Sequence, residues 1–259
     1  LGMPAPEVDL AWLCGLLHDV GRFEQLRQYG TFNDAQSIDH AAMSAQVLFE
    51  EGHIREYLDD RSQDDLLRTA VFWHSAYRLP EDLDGLLIGG GYPEVYARTL
   101  SQNQQIRSQI KLALQNGLPC IAECGGFQYL QEELEGEDGT SYPMVGFLKG
   151  KSFRTEGLRR FGYVNLTANE DNLLCKKGEG FPAHEFHYWD SENTGSSFHA
   201  QKPMRKANWE CIVANDHFVG GYPHLYFYSQ PEMAKRFLEK CLTYQKQKEG
   251  LSLIHISEP

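Results

Sequence analysis

Cys124 is the residue of this chain best placed for nucleophilic chemistry. It is the centre of Ala-Glu-Cys-Gly-Gly, with Ala122 and Gly126 two positions to either side. A strand-to-helix turn tight enough to lift a nucleophile above a sheet edge leaves no room for larger side chains at those flanks. The sulfur would then lie at a helix amino terminus, where unpaired N–H groups favour thiolate over thiol. A buried structural cysteine in such a turn is the competing reading. Attack on an acyl carbon also needs oxyanion donors and a base. The Gly125 N–H is one candidate donor, and the loop of Gly89, Gly90 and Gly91 can bring another, having no side chains in the way. His224 in GGYPHLYF follows two glycines and opens an apolar strand, so its ring could project from the same sheet edge as a base. A packed or surface histidine is the alternative there.

A second pair suits different chemistry. His18 and Asp19 are adjacent in LLHDVGRFEQ, and such a pair can hold a divalent cation through an imidazole nitrogen and a carboxylate oxygen. GFLKGKS at 146–152 imitates a phosphate loop, but three residues separate Gly146 from Gly150 where four are required, so it is rejected as an ATP site. The cysteines at 14, 120, 175, 211 and 241 show no paired metal-ligand spacing and read as reduced thiols.

These groups need elements to carry them. Residues 8–20 set Leu10, Leu13, Leu16 and Leu17 at helical spacing, and Gly21 could end that helix. Further helical patterns cover about 39–58 and 64–76, with no convincing strand up to Trp73. From Asp84 the texture changes. DGLLIGGGYPE is a short apolar strand running into the glycine loop, and 101–116 is an amphipathic helix, with Ile106, Ile110, Ala113 and Leu114 on one face and Gly117 closing it. Residues 119–123 form a second strand and 127–134 a second helix, an alternation that predicts a mostly parallel α/β sheet. The reading is thus a small all-α segment over 1–80 and an α/β domain over 81–245. LSLIHISEP follows a charged helix expected to end near Gly250 and resembles a translated sequencing adapter, so 246–259 is set aside as an artefactual tail.

DGLLIGGGYPE, Asn103 in SQNQQIR, LPCIAECGGFQYL, RFGY at 160–163, HEFHY at 184–188 and GGYPHLYF occur in an order and spacing that resemble the cobyrinate a,c-diamide synthase family, in its glutaminase domain. The resemblance covers about residues 80–241. It implies a flavodoxin-like class I glutamine amidotransferase fold, here without its first strands. It implies that Cys124 attacks the amide of L-glutamine, that His224 shuttles protons, that a glutamyl thioester forms, and that the ammonia amidates corrin carboxylates in cobalamin biosynthesis. The glutaminase itself would need no cofactor. ATP and Mg2+ would belong to a synthetase domain or subunit that this chain does not contain. Triad glutaminases carry a glutamate two residues past the histidine; Tyr226 stands there, so a Cys-His dyad is expected. His184 and His187 do not make an HExxH zinc pair, and a structural role is the default for them.

FND at 32–34, DHA at 39–41 and FWHS at 72–75, added to His18-Asp19, resemble the HD-domain phosphohydrolases over residues 1 to about 81. That resemblance implies a helical hydrolase in which His18 and Asp19 bind a divalent metal, with His40 and His74 as further candidate ligands and a metal-activated water attacking a phosphoester. The family's first histidine would lie before residue 1 and its last aspartate is missing, so this half is expected to be catalytically incomplete. RLPE at 78–81 suits both families at once, which suggests a chimeric assembly. The runner-up functions are therefore a metal-dependent phosphohydrolase and a catalytically dead interaction protein.

Composition narrows the field. With 24 basic against 36 acidic residues, the net charge of -12 repels nucleic-acid phosphates and anionic membranes. No apolar run suggests a membrane span. The first residues show no secretory signal, so a cytoplasmic location is expected.

Overall fold

Residues 13–14, 16–32, 34–73 and 83–256 are described in the computed structural model, in which the chain divides into the units Gly2–Pro80 and Glu81–Pro259. The first unit is helical, with no strand among its described residues: α1 (Gly21–Tyr29), α2 (His40–Ala45) and α3 (Asp64–Trp73) are joined by single turns. Leu17, Ala45, Leu48, Ile54, Leu67 and Val71 make its core. Asp39 caps α2, accepting from the Ala41 and Ala42 amides at 2.8 and 3.2 Å. The helix expected over 39–58 is broken into pieces, since Gly52 takes a left-handed φ of 85°. Gly21 ends no helix but begins α1, where a Cβ would lie 2.3 Å from the Ser44 amide nitrogen. It is a close-approach glycine between α1 and α2. His74 and the 78–81 join lie outside the described residues, as do 1–12.

In the second unit, β1 (Leu86–Ile88) runs through the glycine loop to α4 (Ala97–Gln102) and α5 (Gln104–Gln115). The single helix expected over 101–116 is split because the Asn103 side chain caps α5, accepting from the Ile106 amide at 3.2 Å. Ile106, Ile110 and Leu114 are buried as anticipated, and Gly117, at φ 83°, closes the helix. The chain then enters β2 (Cys120–Glu123) and α6 (Gly125–Tyr129). A helix to residue 134 does not form. The loop at 145–148 returns to take the carbonyls a longer helix would use: Val145 N–H donates to the Tyr129 oxygen at 3.1 Å, and Phe147 and Leu148 to the Leu130 oxygen at 3.0 and 2.9 Å.

The remaining strands are β3 (Glu133–Glu135), β4 (Ser141–Pro143), β5 (Lys151–Arg154), β6 (Arg160–Ala168), β7 (Gly180–His187), β8 (Trp189–Ser191), β9 (Phe198–Gln201), β10 (Asn208–Cys211), β11 (Val213–Ala214), β12 (Phe218–Gly221) and β13 (His224–Leu225), followed by α7 (Pro231–Ile256). They form three sheets, ordered β1-β2-β12-β11, β10-β9-β6-β7-β13 and β4-β3-β5-β8. Among the described strand pairs, only β1-β2, β2-β12 and β3-β5 are parallel. The sheet that carries β1 and β2 is mostly parallel, as expected, with β11 its antiparallel edge; the five-stranded sheet, which was not foreseen, is antiparallel throughout, and its β6 alternates buried and exposed residues as a strand with one covered face does. Lys151 opens β5 where a phosphate loop would open a helix. The α7 helix continues to Ile256 instead of ending near Gly250, and 257–259 lie outside the described residues. No described helix is long and apolar enough to cross a membrane.

Ile121 and Val219 of the parallel sheet pack against Val164, Leu166, Phe181, Ala183 and Phe198 of the five-stranded sheet, with Met233 of α7. In a buried polar chain, Gln131 Nε2 donates to Ser191 Oγ at 2.7 Å, and Ser191 Oγ meets Ser152 Oγ at 2.8 Å and the Tyr222 hydroxyl at 2.7 Å. His187 stacks on the Tyr222 ring at 3.9 Å. Burial pushes that imidazole down to about 4, so it stays neutral and structural.

Glu185 is fully buried on β7, and burial pushes its carboxyl up to about 7 against the pull of Arg160 and Lys202. An unfolded glutamate ionises near 4.5, so the folded state holds this proton more tightly. The resulting stability is full below that pH and is lost as pH rises through 7. Glu185→Gln is expected to flatten the fall in Tm between pH 5 and 8, an effect of roughly 3 kcal/mol at most; thermal melts across that range check it.

Candidate active site

The turn at Cys124 has the geometry its neighbours predict. Cys124 has φ 49° and ψ -106° and leads directly into α6, a sparsely populated backbone for a non-glycine residue that costs on the order of 1–3 kcal/mol. The Cys124 amide is anchored to the Gly221 oxygen at 2.8 Å and the Gly126 amide to the Gly89 oxygen at 3.1 Å. A Cβ at Gly126 would fall 2.3 Å from the Ile88 oxygen. Gly126→Ala therefore has to push β1 away from the turn, and a drop in stability on the order of 2–3 kcal/mol, read in urea unfolding, is expected. Cys124 is 8% exposed, and its Sγ lies 3.9 Å from the Phe186 oxygen of β7.

The glycine loop reaches the same place. A Cβ on Gly125 would lie 2.8 Å from the Gly91 oxygen and 3.0 Å from its nitrogen, and one on Gly90 would lie 2.7 Å from His224 Cε1. Gly90, Gly91 and Gly125 thus bring bare backbone beside Cys124 and His224.

His224 opens β13, held opposite His184 of β7 in antiparallel register. Its imidazole lies within electrostatic reach of Cys124, a hundred positions earlier, and faces Glu123 with Nδ1 3.5 Å from Oε2. Glu123 Oε1 also accepts from the Leu225 amide at 3.1 Å, fixing the carboxylate to the base of the histidine's strand. Cys124, and then the carboxylate of Glu123, hold the His224 imidazolium up to about 10. The imidazole side chain is 37% exposed, so His224 stands at the sheet rim, over a thiol that is itself buried. Phe161, Tyr163, His184 and Phe186 form a continuous edge-to-face aromatic strip along β6 and β7 beside it.

In the helical unit, His40 is buried and gathers Asp34, whose Oδ2 is 2.5 Å from Nδ1, and Asp19, whose Oδ1 is 3.3 Å from Nε2. His18 lies 3.8 Å from Asp19. Asp34, Asp39 and His40 bring one donor atom each within 4.8 Å of one another. The Arg22 guanidinium, however, sits among them, 3.3 Å from Asp19, 3.4 Å from Asp34 and 3.1 Å from His40 Nε2. A divalent ion would have to displace this guanidinium, so the residues as placed do not fit a metal centre.

A profile for the CobB/CobQ-like glutamine amidotransferase domain matches residues 63–232. The chain belongs to this family. The matched span reaches back past residue 80 into the helical unit. The cobyrinate a,c-diamide synthase of Caldanaerobacter subterraneus subsp. tengcongensis is 39% identical over 172 residues, 66% of this chain and 38% of that protein. The synthase of Priestia megaterium is 37% identical, with 66% of this chain and 37% of that protein covered. The chain thus spans less than two fifths of these relatives' length. A crystal structure of a glutamine amidotransferase superposes on 62% of this chain and 80% of its own, with 17% identity and a TM-score of 0.44.

Within this CobB/CobQ-like domain, Tyr226 stands where triad relatives have glutamate, and it is exposed beside Tyr228. The carboxylate nearest the His224 imidazole is that of Glu123, which sequence reasoning passed over. Its signal was an acidic residue ending an otherwise buried apolar strand, immediately before Cys124.

Proposed function

We propose that this chain hydrolyses L-glutamine through Cys124 and His224, with Glu123 as the positioning residue of the imidazole. The observation that supports it is geometric: a cysteine at the tip of a strained turn and a histidine from a strand a hundred residues later are brought to one place, the imidazole against Gly90 of the glycine loop and 3.5 Å from the Glu123 carboxylate that precedes the cysteine. The Cys124 sulfur attacks the side-chain amide carbon, the C–N bond breaks, and the His224 imidazolium gives its proton to the departing ammonia. Backbone N–H groups at Gly125 and at Gly90 or Gly91 receive the developing oxyanion. Water, deprotonated by His224, then opens the glutamyl thioester to release glutamate and free the thiol.

The ammonia passes to an ATP- and Mg2+-dependent synthetase partner that amidates carboxylates of a corrin in cobalamin biosynthesis, as the names of the related synthases suggest. The domain is of the flavodoxin-like class I kind, works in the cytoplasm, and itself needs no cofactor. Incubation of the full chain with glutamine should release equimolar ammonia and glutamate and give, on rapid acid quench, a glutamyl adduct by intact mass. Neither product nor adduct at millimolar glutamine would sink the proposal.

A further inference from the structure

In a chain of net charge -12, four cationic residues line one cavity. It has a volume of about 650 Å³ and lies at the start of β6, walled by Arg159, Arg160, Lys202, Arg205, Tyr163 and Trp209 among others. Its floor is exposed strand edge: β9 pairs with β6 only from Asn165 onward. The Lys202 ammonium covers that edge, donating to the Phe161 and Tyr163 carbonyls at 2.6 and 3.2 Å.

Two of the four cations face carboxyl groups. Arg159 Nε donates to Asp190 at 2.7 Å, and Arg160 lies 3.9 Å from buried Glu185. Among the described residues, Lys202 directs two of its three N–H donors to neutral carbonyls and keeps its charge unpaired, and exposed Arg205 has no carboxylate within ion-pair distance. Burial holds the Lys202 ammonium below its ordinary value and Arg205 pushes the same way, while Glu185 opposes. The Trp209 indole lies under Arg160 at 4.9 Å and Lys202 at 5.7 Å, giving the cavity an apolar wall beside its surplus positive charge.

We propose that this cavity binds a carboxylate-bearing organic anion. Arg205 and Lys202 take the carboxylate by charge-assisted hydrogen bonds, and Tyr163, Trp209 and exposed Met204 receive the apolar frame. The identity of that anion rests on the proposed function: a corrin polycarboxylate awaiting amidation belongs to this class. The charge surplus itself does not depend on that reading.

The test is calorimetric titration of the full chain with cobyrinate and, separately, with inorganic phosphate, for the wild type, Arg205→Glu and Lys202→Gln, with glutamine hydrolysis measured on the same preparations. Lys202→Gln keeps a donor for the β6 edge, and Arg205 is exposed, so both variants should fold. Cobyrinate should bind the wild type and bind Arg205→Glu at least about tenfold more weakly, with hydrolysis unchanged. No binding of cobyrinate, equal binding by all three proteins, or phosphate binding as tightly as cobyrinate overturns the proposal. Binding without any hydrolysis would leave this site standing and remove the glutaminase reading instead.

Discussion

Cys124→Ala should lower glutamine hydrolysis by about four orders of magnitude or more, to the level of the blank, because the thioester needs a thiol beside His224. Cys120, the nearest cysteine in sequence, is fully buried on β2, and burial drives its thiol far above the usual range. Alanine keeps the Cβ and with it the strained backbone, so the melting temperature should hardly move. Cys124→Gly should be as inactive yet more stable, by about 1 kcal/mol, since glycine tolerates φ 49° without penalty. Ammonia release and thermal melts on the two variants read both effects. Residual hydrolysis in either would mean that the nucleophile lies elsewhere.

Glu123→Gln should reduce kcat about a hundredfold at alkaline pH and move the alkaline limb of the rate profile to lower pH. Glutamine still accepts from the Leu225 amide but carries no charge toward Nδ1 of His224. The sign follows from the imidazolium being the stabilised form: held up to about 10, it keeps its proton for the departing ammonia until the pH approaches that value. Without the carboxylate it gives the proton up earlier, and activity disappears earlier as pH rises. KM should be little changed. A variant that merely loosened the fold would lose activity equally at every pH, with the limb in place.

How much of this was legible in the residues depended on the range of the force involved. The Cys124 turn could be read because steric exclusion acts two positions away, at Ala122 and Gly126, and the Gly126 contact with Ile88 is that exclusion measured. Gly117 could be read for the same local reason. Glu123 could not, since its partners sit 101 and 102 residues later, and no spacing rule links the last residue of one strand to the first of another. The helix expected past Tyr129 was refused by a loop returning from residue 145, again a contact outside any window of periodicity. In the helical unit, the gathering of Asp19 and His40 was foreseen, but not that Arg22 would supply the positive charge between them.

The lysine laid across the β6 border has a bearing on how this domain keeps to itself. An uncovered run of carbonyls is a template on which another copy could add a strand and begin stacking. With the Lys202 ammonium seated on two of those oxygens, an incoming chain would have to strip a charge of its best contacts before pairing. The border is thus guarded against edge-to-edge aggregation while the space beside it stays open to small molecules.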